Sequence, residues 1–231
     1  MTVTAFLPCR AGSQRIPNKN TKPFGGEADG LLGVKLKQLL AVAAIDRVVL
    51  STNDPDVLAI GEKWLSASAG KLAIDRRPDH LCSSATSTDE VIAYVPTIIS
   101  QGDVLWTHVT SPFFDEACYA DAISEYHAAR GADYDSLLGV TELHAFLWRE
   151  DGPINYDRKI EKWPRTQTLQ PVYEVNSAVF IAPIDAYRNN ADRIGDKPKL
   201  YPVAKTKALD IDWPEDFEIA NFIWLNNATK C

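Results

Sequence analysis

Basic and small side chains follow the first apolar run of the chain, Val3–Pro8. The segment 10–20 reads RAGSQRIPNKN and combines an Ala-Gly-Ser turn with the cations Arg10, Arg15 and Lys19. A turn of small residues lets backbone N–H groups approach phosphate oxygens, and the cations add positive charge. In an open α/β sheet such a loop lies beyond the carboxyl end of a strand, where ligands bind. The segment predicts a phosphate-binding loop, although a basic surface loop has the same composition.

Two carboxylates near the end of the chain form the second candidate group. Asp210 and Asp212 flank Ile211 at the end of an extended run. In a strand, residues two apart point to the same side, so both carboxylates can face one Mg²⁺ ion. A nucleoside triphosphate needs such a metal, because charge develops on its oxygens during phosphoryl transfer. The pair predicts a magnesium site, although two acids on a solvated edge strand look the same.

The elements that must position these groups alternate between short apolar runs and segments of helical spacing, which is typical of a βαβ architecture. The periodicity predicts strands at residues 3–8, 47–52, 72–75, 103–109, 136–143 and 176–182, with an extended segment at 200–212. It predicts helices after residues 31, 55 and 87 and at 115–130 and 213–227, the third opened by a capping box of Ser87 and Glu90. Residues 156–172 lack a helical period and predict a protruding hairpin. The chain is expected to form a single α/β domain over residues 1–231, with an arm at about 150–175.

Composition and pattern exclude several classes of protein. The 231 residues carry a net charge of −7, which disfavours an extended nucleic-acid interface because such an interface must neutralise phosphates. No G-x-x-x-x-G-K-[ST] or G-x-G-x-x-G occurs in the expected context, which argues against a P-loop and a dinucleotide fold. No apolar stretch approaches membrane-spanning length, no signal peptide opens the chain, and the four cysteines are scattered. We therefore expect a cytoplasmic protein that binds neither nucleic acid nor membrane.

The order of the motifs resembles one known family. The segment Arg10–Asn20 is similar to the R-x-G-S-K-R-I-P-x-K-N signature of the acylneuraminate cytidylyltransferases, the CMP-sialic acid or CMP-ulosonic acid synthetases. Further segments resemble this family in the same order, namely RVVLST with the following Asn-Asp, Arg77-Pro78, Ala85-Thr86-Ser87-Thr88, Thr110-Ser111-Pro112, Pro164-Arg165, Asn176-Ser177 and Asp210-Ile211-Asp212. The resemblance extends over nearly the whole chain, and its first and last motifs are specific in combination.

The resemblance implies a reaction, a fold and a set of residues. The reaction is transfer of CMP from CTP to the anomeric hydroxyl of a sialic-acid-like 2-ulosonic acid, with release of pyrophosphate and with Mg²⁺ as cofactor. The fold is a three-layer α/β/α, Rossmann-like nucleotidyltransferase fold with a mainly parallel, mixed sheet and a protruding arm exchanged in a homodimer. The implied catalytic residues are Lys19, Asp210 and Asp212, the last two also binding the metal. The implied nucleotide-binding residues are Arg10, Ala11, Gly12, Ser13, Arg15, Asn20, Arg77, Thr86, Ser87 and Thr88, and the implied sugar-binding residues are His108, Ser111, Arg165 and Asn176.

The chain departs from the family pattern at three places, which keep alternatives open. Gln14 replaces a usual lysine, His108 and Val109 replace Gln-Pro, and Glu174 stands where a sialate-specific member often has arginine. The acceptor can therefore be sialate or a Kdo-, legionaminate- or pseudaminate-type acid. A metal-dependent D-x-D glycosyltransferase and a non-catalytic nucleotide-binding homologue are further alternatives, and release of pyrophosphate from CTP discriminates both from the synthetase.

Overall fold

The computed structural model of the chain describes residues 2–228. The strands are β1 (Val3–Cys9), β2 (Arg47–Thr52), β3 (Leu72–Arg76), β4 (Asp103–Trp106), β5 (Ser136–Leu143), β6 (Trp148–Arg149), β7 (Gly152–Pro153), β8 (Val172–Pro183) and β9 (Pro198–Pro202). The helices are α1 (Gly30–Ala41), α2 (Pro55–Leu65), α3 (Thr88–Ile98), α4 (Glu116–Arg130), α5 (Ile184–Asn189) and α6 (Pro214–Ala228). The predicted alternation of strands and helices is confirmed.

Seven of the strands form one sheet in the order β3-β2-β1-β4-β8-β5-β9, and β6 pairs with β7 outside it. The pairs β3-β2, β2-β1, β1-β4 and β5-β9 are parallel, whereas β8 runs antiparallel to β4 and β5. This arrangement confirms the mainly parallel, mixed sheet. Since β1 and β4 are parallel neighbours, the loops that follow them open at the same edge, and this edge carries the candidate site.

Helices cover both faces of the sheet and create two hydrophobic clusters. One cluster joins the sheet to α1, α2, α4 and α6, and the other joins it to α3 and α5. The three-layer α/β/α architecture follows from this division, because each face of the sheet buries its apolar side chains under its own helices. None of the helices in the described part of the chain is long and apolar enough to span a membrane.

Local sequence signals account for several helix starts. Asp54 caps α2 by accepting from the Asp56 N–H, and Pro55 occupies the first turn, where its missing N–H costs nothing. Ser87 and Glu90 form the predicted capping box at the start of α3. These caps fix the points at which the chain leaves the loops after β2 and β3.

Three segments differ from the sequence-based expectation. The strand expected at 200–212 ends at Pro202, and a turn follows in which the Lys207 and Ala208 N–H groups bond to the Ala204 carbonyl. Strand β8 begins at Val172, earlier than expected, because its first residues pair with β5 beyond a register shift. The short helix α5 has no clear period in the sequence, since six residues complete fewer than two turns.

Residues 144–171, which we call the arm, connect β5 to β8. They contain the β6–β7 pair and a short 3₁₀ turn, Thr166–Thr168, and they contribute no member to either hydrophobic cluster. Asn155 ties the arm together by donating to the carbonyls of Ala145 (2.9 Å) and Gln170 (3.1 Å). The sequence predicts a hairpin at 156–172, whereas the strand pair of the arm, β6–β7, lies at residues 148–153. That the arm protrudes and mediates dimerisation stays a prediction.

Candidate active site

The loop of residues 10–20 is held in shape at several points. Ile16 is buried in the core at 3% exposure, and the Asn20 carbonyl accepts from the Leu32 N–H of α1 at 2.9 Å. The Ala11 N–H donates to the Asn53 side chain at 3.1 Å. Gly12 adopts a φ of +73°, a left-handed conformation that side chains rarely adopt. The loop is therefore a fixed turn, and it holds its three cations in defined positions.

The segment of residues 210–212 is fixed against the end of β4. Ile211 is fully buried, and its N–H donates to the Thr110 carbonyl at 2.9 Å. Asp216, in the first turn of α6, accepts from the Asp212 N–H at 3.0 Å and the Trp213 N–H at 2.7 Å. The two carboxylates on either side of Ile211 are thus positioned by a buried anchor and a helix start, and not by a strand ladder.

The loop and the segment meet at a cavity of about 330 Å³. Its lining comprises Pro8, Cys9, Arg10, Ser13, Gln14, Arg15, Lys19, Asn20, His108, Val109, Thr110, Ser177, Asp210 and Asp212. The structure thereby brings both predicted groups together, although they are about two hundred positions apart in the sequence. This is a polar cavity at the carboxyl ends of parallel strands, where α/β proteins bind ligands.

Ion pairs connect the two halves of the cavity. Lys19 Nζ donates to the Ile211 carbonyl at 2.7 Å and lies 3.5 Å from Asp212 Oδ1. Arg15 approaches the same oxygen at 3.3 Å and lies over the Trp213 ring, 4.8 Å from its centroid. Lys19 is largely buried whereas Arg15 and Asp212 are about half exposed, so Lys19 is the better fixed of the two cations. These positive charges are therefore oriented before an anionic ligand binds.

Asp210 differs from Asp212 in its environment. Burial raises the pKa of the Asp210 carboxyl, and repulsion from Asp212 adds to this, whereas hydrogen bonds from Thr110 and Ser177 oppose it. Among the described residues, Asp210 Oδ1 is buried without a hydrogen-bond partner. A buried oxygen of this kind costs free energy unless a ligand satisfies it.

These two carboxylates fit a divalent cation. Mg²⁺ in nucleotide-binding sites is commonly held by one or two carboxylates together with substrate phosphates. The orphan oxygen of Asp210 and the repulsion between the two acids are what such an ion would relieve. Within residues 2–228, no group of three or more His, Cys, Asp or Glu side chains could hold a metal ion, so the other ligands of a cation would be substrate oxygens or water.

A buried lysine holds the loop that follows β4. Lys35 of α1 is fully buried and donates to the carbonyls of Ser111 (2.8 Å) and Phe114 (3.0 Å). Gln38, one turn later, donates to the Pro112 carbonyl at 2.7 Å. Burial lowers the pKa of Lys35 to about 7, against the opposing effect of Asp115. Helix α1 therefore clamps the loop after β4, whose Thr110 carbonyl anchors Ile211.

Six of the predicted nucleotide-binding residues lie outside the cavity lining, and four of them follow β3. The buried Arg77 donates from Nε to Cys82 Sγ at 3.1 Å. Thr86 donates to the His80 carbonyl, Ser87 caps α3, and Thr88 is the first residue of that helix. These side chains flank the start of α3, next to the loop after β3, and their nucleotide contacts stay a prediction. The other two, Ala11 and Gly12, belong to the loop of residues 10–20, where the Ala11 N–H donates to the Asn53 side chain and Gly12 has a φ of +73°.

Three predicted sugar-binding residues also lie outside the lining. Ser111 is buried below the cavity, where its carbonyl accepts from Lys35. Asn176 is buried, and its Oδ1 accepts from the Ala178 N–H at 3.1 Å. Because side chains alternate along β8, the neighbouring Ser177 faces the cavity instead. Arg165 lies on the exposed part of the arm, so its role at the sugar stays a prediction.

Sequence reasoning gave no role to several supporting residues, namely Lys35, Asn53, Thr110, Ser177 and Asp216. Thr110 and Ser177 belong to quoted motifs, so the motif itself was a signal for both. Asp216 stands where an acid caps a helix start, which is a recognisable local pattern. Lys35 gives no signal, because a lysine within a helical pattern is expected on the surface.

Comparisons with known proteins show which proteins the chain is similar to. A model of the cytidylyltransferase family matches residues 4–223. The chain is 24% identical over 222 residues to an N-acylneuraminate cytidylyltransferase of Streptococcus agalactiae, covering 94% of this chain and 52% of that protein. It therefore spans about half the length of that relative. It is 26% identical over 234 residues to the CMP-N,N'-diacetyllegionaminic acid synthase of Legionella pneumophila, covering 95% and 94% of the two chains. Among solved structures, a CMP:2-keto-3-deoxy-manno-octonic acid synthetase complexed with CTP superposes with a TM-score of 0.68 at 14% identity over 100% of both chains.

Proposed function

Because the chain belongs to the cytidylyltransferase family, we propose that it transfers CMP from CTP to a 2-ulosonic acid and releases pyrophosphate. The observation that carries this proposal is the cavity in which Lys19 and Arg15 lie beside Asp210 and Asp212. The relatives named for N-acylneuraminic acid and N,N'-diacetyllegionaminic acid support the class of acceptor without choosing among its members.

In the proposed reaction, the anomeric hydroxyl loses its proton to water, its oxygen bonds to the α-phosphorus, and the bond to pyrophosphate breaks. The backbone N–H groups of Gly12 and Ser13 and the side chains of Arg10 and Lys19 bind the triphosphate and align it. Such alignment can contribute roughly 7–11 kcal/mol to lowering the barrier. Arg15, on the Trp213 ring, adds charge at the rim of the cavity.

Asp210 and Asp212 would hold Mg²⁺, which supplies positive charge to phosphate oxygens when it is bound. The part played by the protein is to keep the two carboxylates in place through Ile211, Thr110 and Asp216. Lys19 reaches both the Ile211 carbonyl and the Asp212 carboxylate, so it links the triphosphate loop to the metal ligands.

We further propose that the enzyme is a homodimer in the cytoplasm in which the arm of one subunit reaches the sugar site of the other. Exposed apolar side chains on the arm support this, above all Ile160 at 87% exposure and Trp163 at 64%. Such a surface is typical of an interaction site. Arg165, two residues after Trp163, would then meet the sugar carboxylate across the interface.

The experiment that tests the function is pyrophosphate release from CTP and Mg²⁺ with a panel of N-acetylneuraminic, legionaminic, pseudaminic and Kdo acids. Release with one acid identifies the acceptor. The matched variants are Asp212→Asn, which should abolish release, and Asp133→Asn, an exposed carboxylate paired with Lys197 that should leave release unchanged. CTP binding without release from any acid would favour a non-catalytic homologue, and use of a preformed nucleotide sugar would favour a glycosyltransferase.

A further inference from the structure

His108 is the residue of the cavity whose chemistry is most constrained by its neighbours. It lies two residues after the end of β4 and is partly buried at the cavity wall. The indole Nε1 of Trp106 lies 2.6 Å from His108 Nε2, and the two rings are inclined at 75°. Trp106 itself is buried in the core against Phe6, at 4.8 Å between ring centroids. The indole is therefore a fixed partner for the imidazole.

The direction of this hydrogen bond determines where the imidazole carries its proton. An indole N–H can only donate, so His108 Nε2 must be the acceptor and carry no proton. A neutral imidazole with an unprotonated Nε2 holds its proton on Nδ1. The imidazolium form would place two donors face to face and lose this bond. The contact thus selects one tautomer and one charge state.

Charged groups around the ring favour the same state. Burial, the Arg193 guanidinium and the Lys19 ammonium lower the pKa of His108 to about 3. Arg193 is held by aromatic rings, with its Cζ 3.7 Å from the centroid of Phe180 and 5.2 Å from that of Trp106. Both cations come from other elements of the fold, so the neutrality of His108 does not depend on its own loop.

The remaining nitrogen is the one available to a ligand. Nδ1 and Nε2 point away from each other across the ring, and among the described residues only Nε2 has a hydrogen-bond partner. His108 shares the cavity wall with Lys19 and Asp210. Resting on the proposed function, we propose that Trp106 fixes His108 as a neutral donor whose Nδ1–H binds an unprotonated oxygen of the acceptor sugar.

This arrangement defines what the sugar must present. His108 can donate a hydrogen bond from Nδ1–H but cannot accept one, because the Trp106 indole already occupies Nε2. Lys19 and Arg193 make the surroundings positive, which favours an oxygen that bears negative charge. A carboxylate or an acylamide carbonyl satisfies both conditions, whereas an ammonium group satisfies neither. His108 is therefore a specificity-determining residue, and Trp106 is the residue that positions it.

The tautomer can be measured without turnover. Long-range ¹H–¹⁵N spectra of the histidine rings should show His108 as the neutral Nδ1–H form from about pH 8 down to about pH 5. His144, an exposed ring whose Nε2 lies 2.6 Å from Glu142, is the internal reference. In Trp106→Phe, which keeps an aromatic ring in the core, the His108 pattern should become a mixture of tautomers. An Nε2–H form or an imidazolium in the wild type at neutral pH would overturn the proposal.

Recognition of the sugar is tested by variants of His108 itself. His108→Leu removes the donor and should lower kcat/KM for the accepted acid by about tenfold or more, with KM for CTP unchanged. His108→Asn keeps an N–H near the position of Nδ1 and should recover most of this loss. Trp106→Phe should raise KM for the acid and leave KM for CTP unchanged, which simple destabilisation would not do. Equal kcat/KM in wild type and His108→Leu would refute the proposal.

Two analogues of the acid distinguish the two oxygens. The methyl ester removes the carboxylate charge, and the deacylated amine removes the carbonyl. The analogue that is altered at the contacted group should respond to His108→Leu by less than twofold, while the other keeps the full loss. Binding of the acid also shifts the Nδ1–H resonance, so recognition is measurable even if no acid is turned over. If none of the acids is turned over but one of them shifts the Nδ1–H resonance, the proposed reaction is wrong and this inference is supported.

Discussion

The two sides of the proposed substrate site are built in different ways. On the nucleotide side, the loop 10–20 and the segment 210–212 rest on buried anchors, Ile16 and Ile211. On the sugar side, the arm rests on contacts among its own residues, such as Phe146 with Trp163 at 5.4 Å between ring centroids. Ile160 at the outer part of the arm is 87% exposed. One side is part of the core, and the other contributes no member to it.

This difference distinguishes functions that a single chain can perform from functions that require a homodimer. Groups fixed by the core are preorganised, so they can align a triphosphate without further ordering. An arm with exposed apolar side chains gains its stability by covering them, which requires a partner surface. We therefore expect nucleotide binding to be a property of the single chain. The complete sugar site, with His108 in the cavity and Arg165 on the arm, should depend on the homodimer.

The largest effect is expected on the nucleotide side. Lys19→Met removes the cation that joins the loop to Asp212 and should lower kcat by about 10²- to 10³-fold, as loss of one preorganised charge contact does. Lys22→Met is the matched control, because Lys22 lies over the Phe217 ring outside the cavity lining. Pyrophosphate release is the measurement. Near-normal turnover of Lys19→Met would refute the proposed role of this side of the site.

The arm provides the second test. Ile160→Asp should leave the single chain folded, because Ile160 is almost fully exposed, yet it should weaken a dimer by at least about 100-fold since a carboxylate would be buried. Ile219→Asp, on the exposed face of α6 at 53% exposure, is the control. Sedimentation measures the assembly. If both variants sediment as the wild type does, the arm is not the dimer interface.

Mixing two inactive variants shows whether Arg165 acts in its own subunit or in its partner. In a dimer of Arg165→Ala with Lys19→Met, one site keeps both wild-type groups only if Arg165 reaches across the interface. Equal mixing should then restore roughly one quarter of the wild-type activity, because half of the dimers are mixed and each has one intact site. No recovery would place Arg165 in its own subunit.

The sequence predicted most of the fold because its signals are local. The apolar runs around Val3–Pro8 and Arg47–Thr52 became neighbouring parallel strands, and the capping box at Ser87 opened α3 as expected. The antiparallel placement of β8 between β4 and β5 was not predicted, because strand order depends on pairings between distant segments. Local patterns specify elements, whereas the order of the strands is a property of the whole chain.

The candidate site was predictable to the extent that its residues lie in motifs. The two motifs around Lys19 and Asp212 met in one cavity, while Ser177 faces it in place of Asn176 because of the pleat of β8. Lys35 shows the limit most clearly. Its burial is explained by the carbonyls of the loop after β4, which lie more than seventy residues away in the chain.

The smallest of the expected effects concerns Lys35 and the pH dependence of the free energy of unfolding. It tests how firmly helix α1 holds the loop after β4. Its folded-state pKa is lowered to about 7, below the value of an unfolded lysine. Between about pH 7 and pH 10, the unfolded chain therefore binds a proton that the folded chain lacks. The stability contributed by this site rises with pH across that window, and the full penalty of burying the charge is present below about pH 7.

Urea unfolding of wild type and Lys35→Met at about pH 7 and about pH 9 measures this effect. Raising the pH from about 7 to about 9 should increase the free energy of unfolding of the wild type, relative to that of Lys35→Met, by on the order of 1–2 kcal/mol. Lys37→Met, an exposed lysine of the same helix, should show no such change. A pH-independent difference for Lys35→Met would mean that the Ser111 and Phe114 carbonyls keep the ammonium charged. The loop after β4 would then be held by a buried cation, which is a stronger clamp than the neutral amine that burial alone favours.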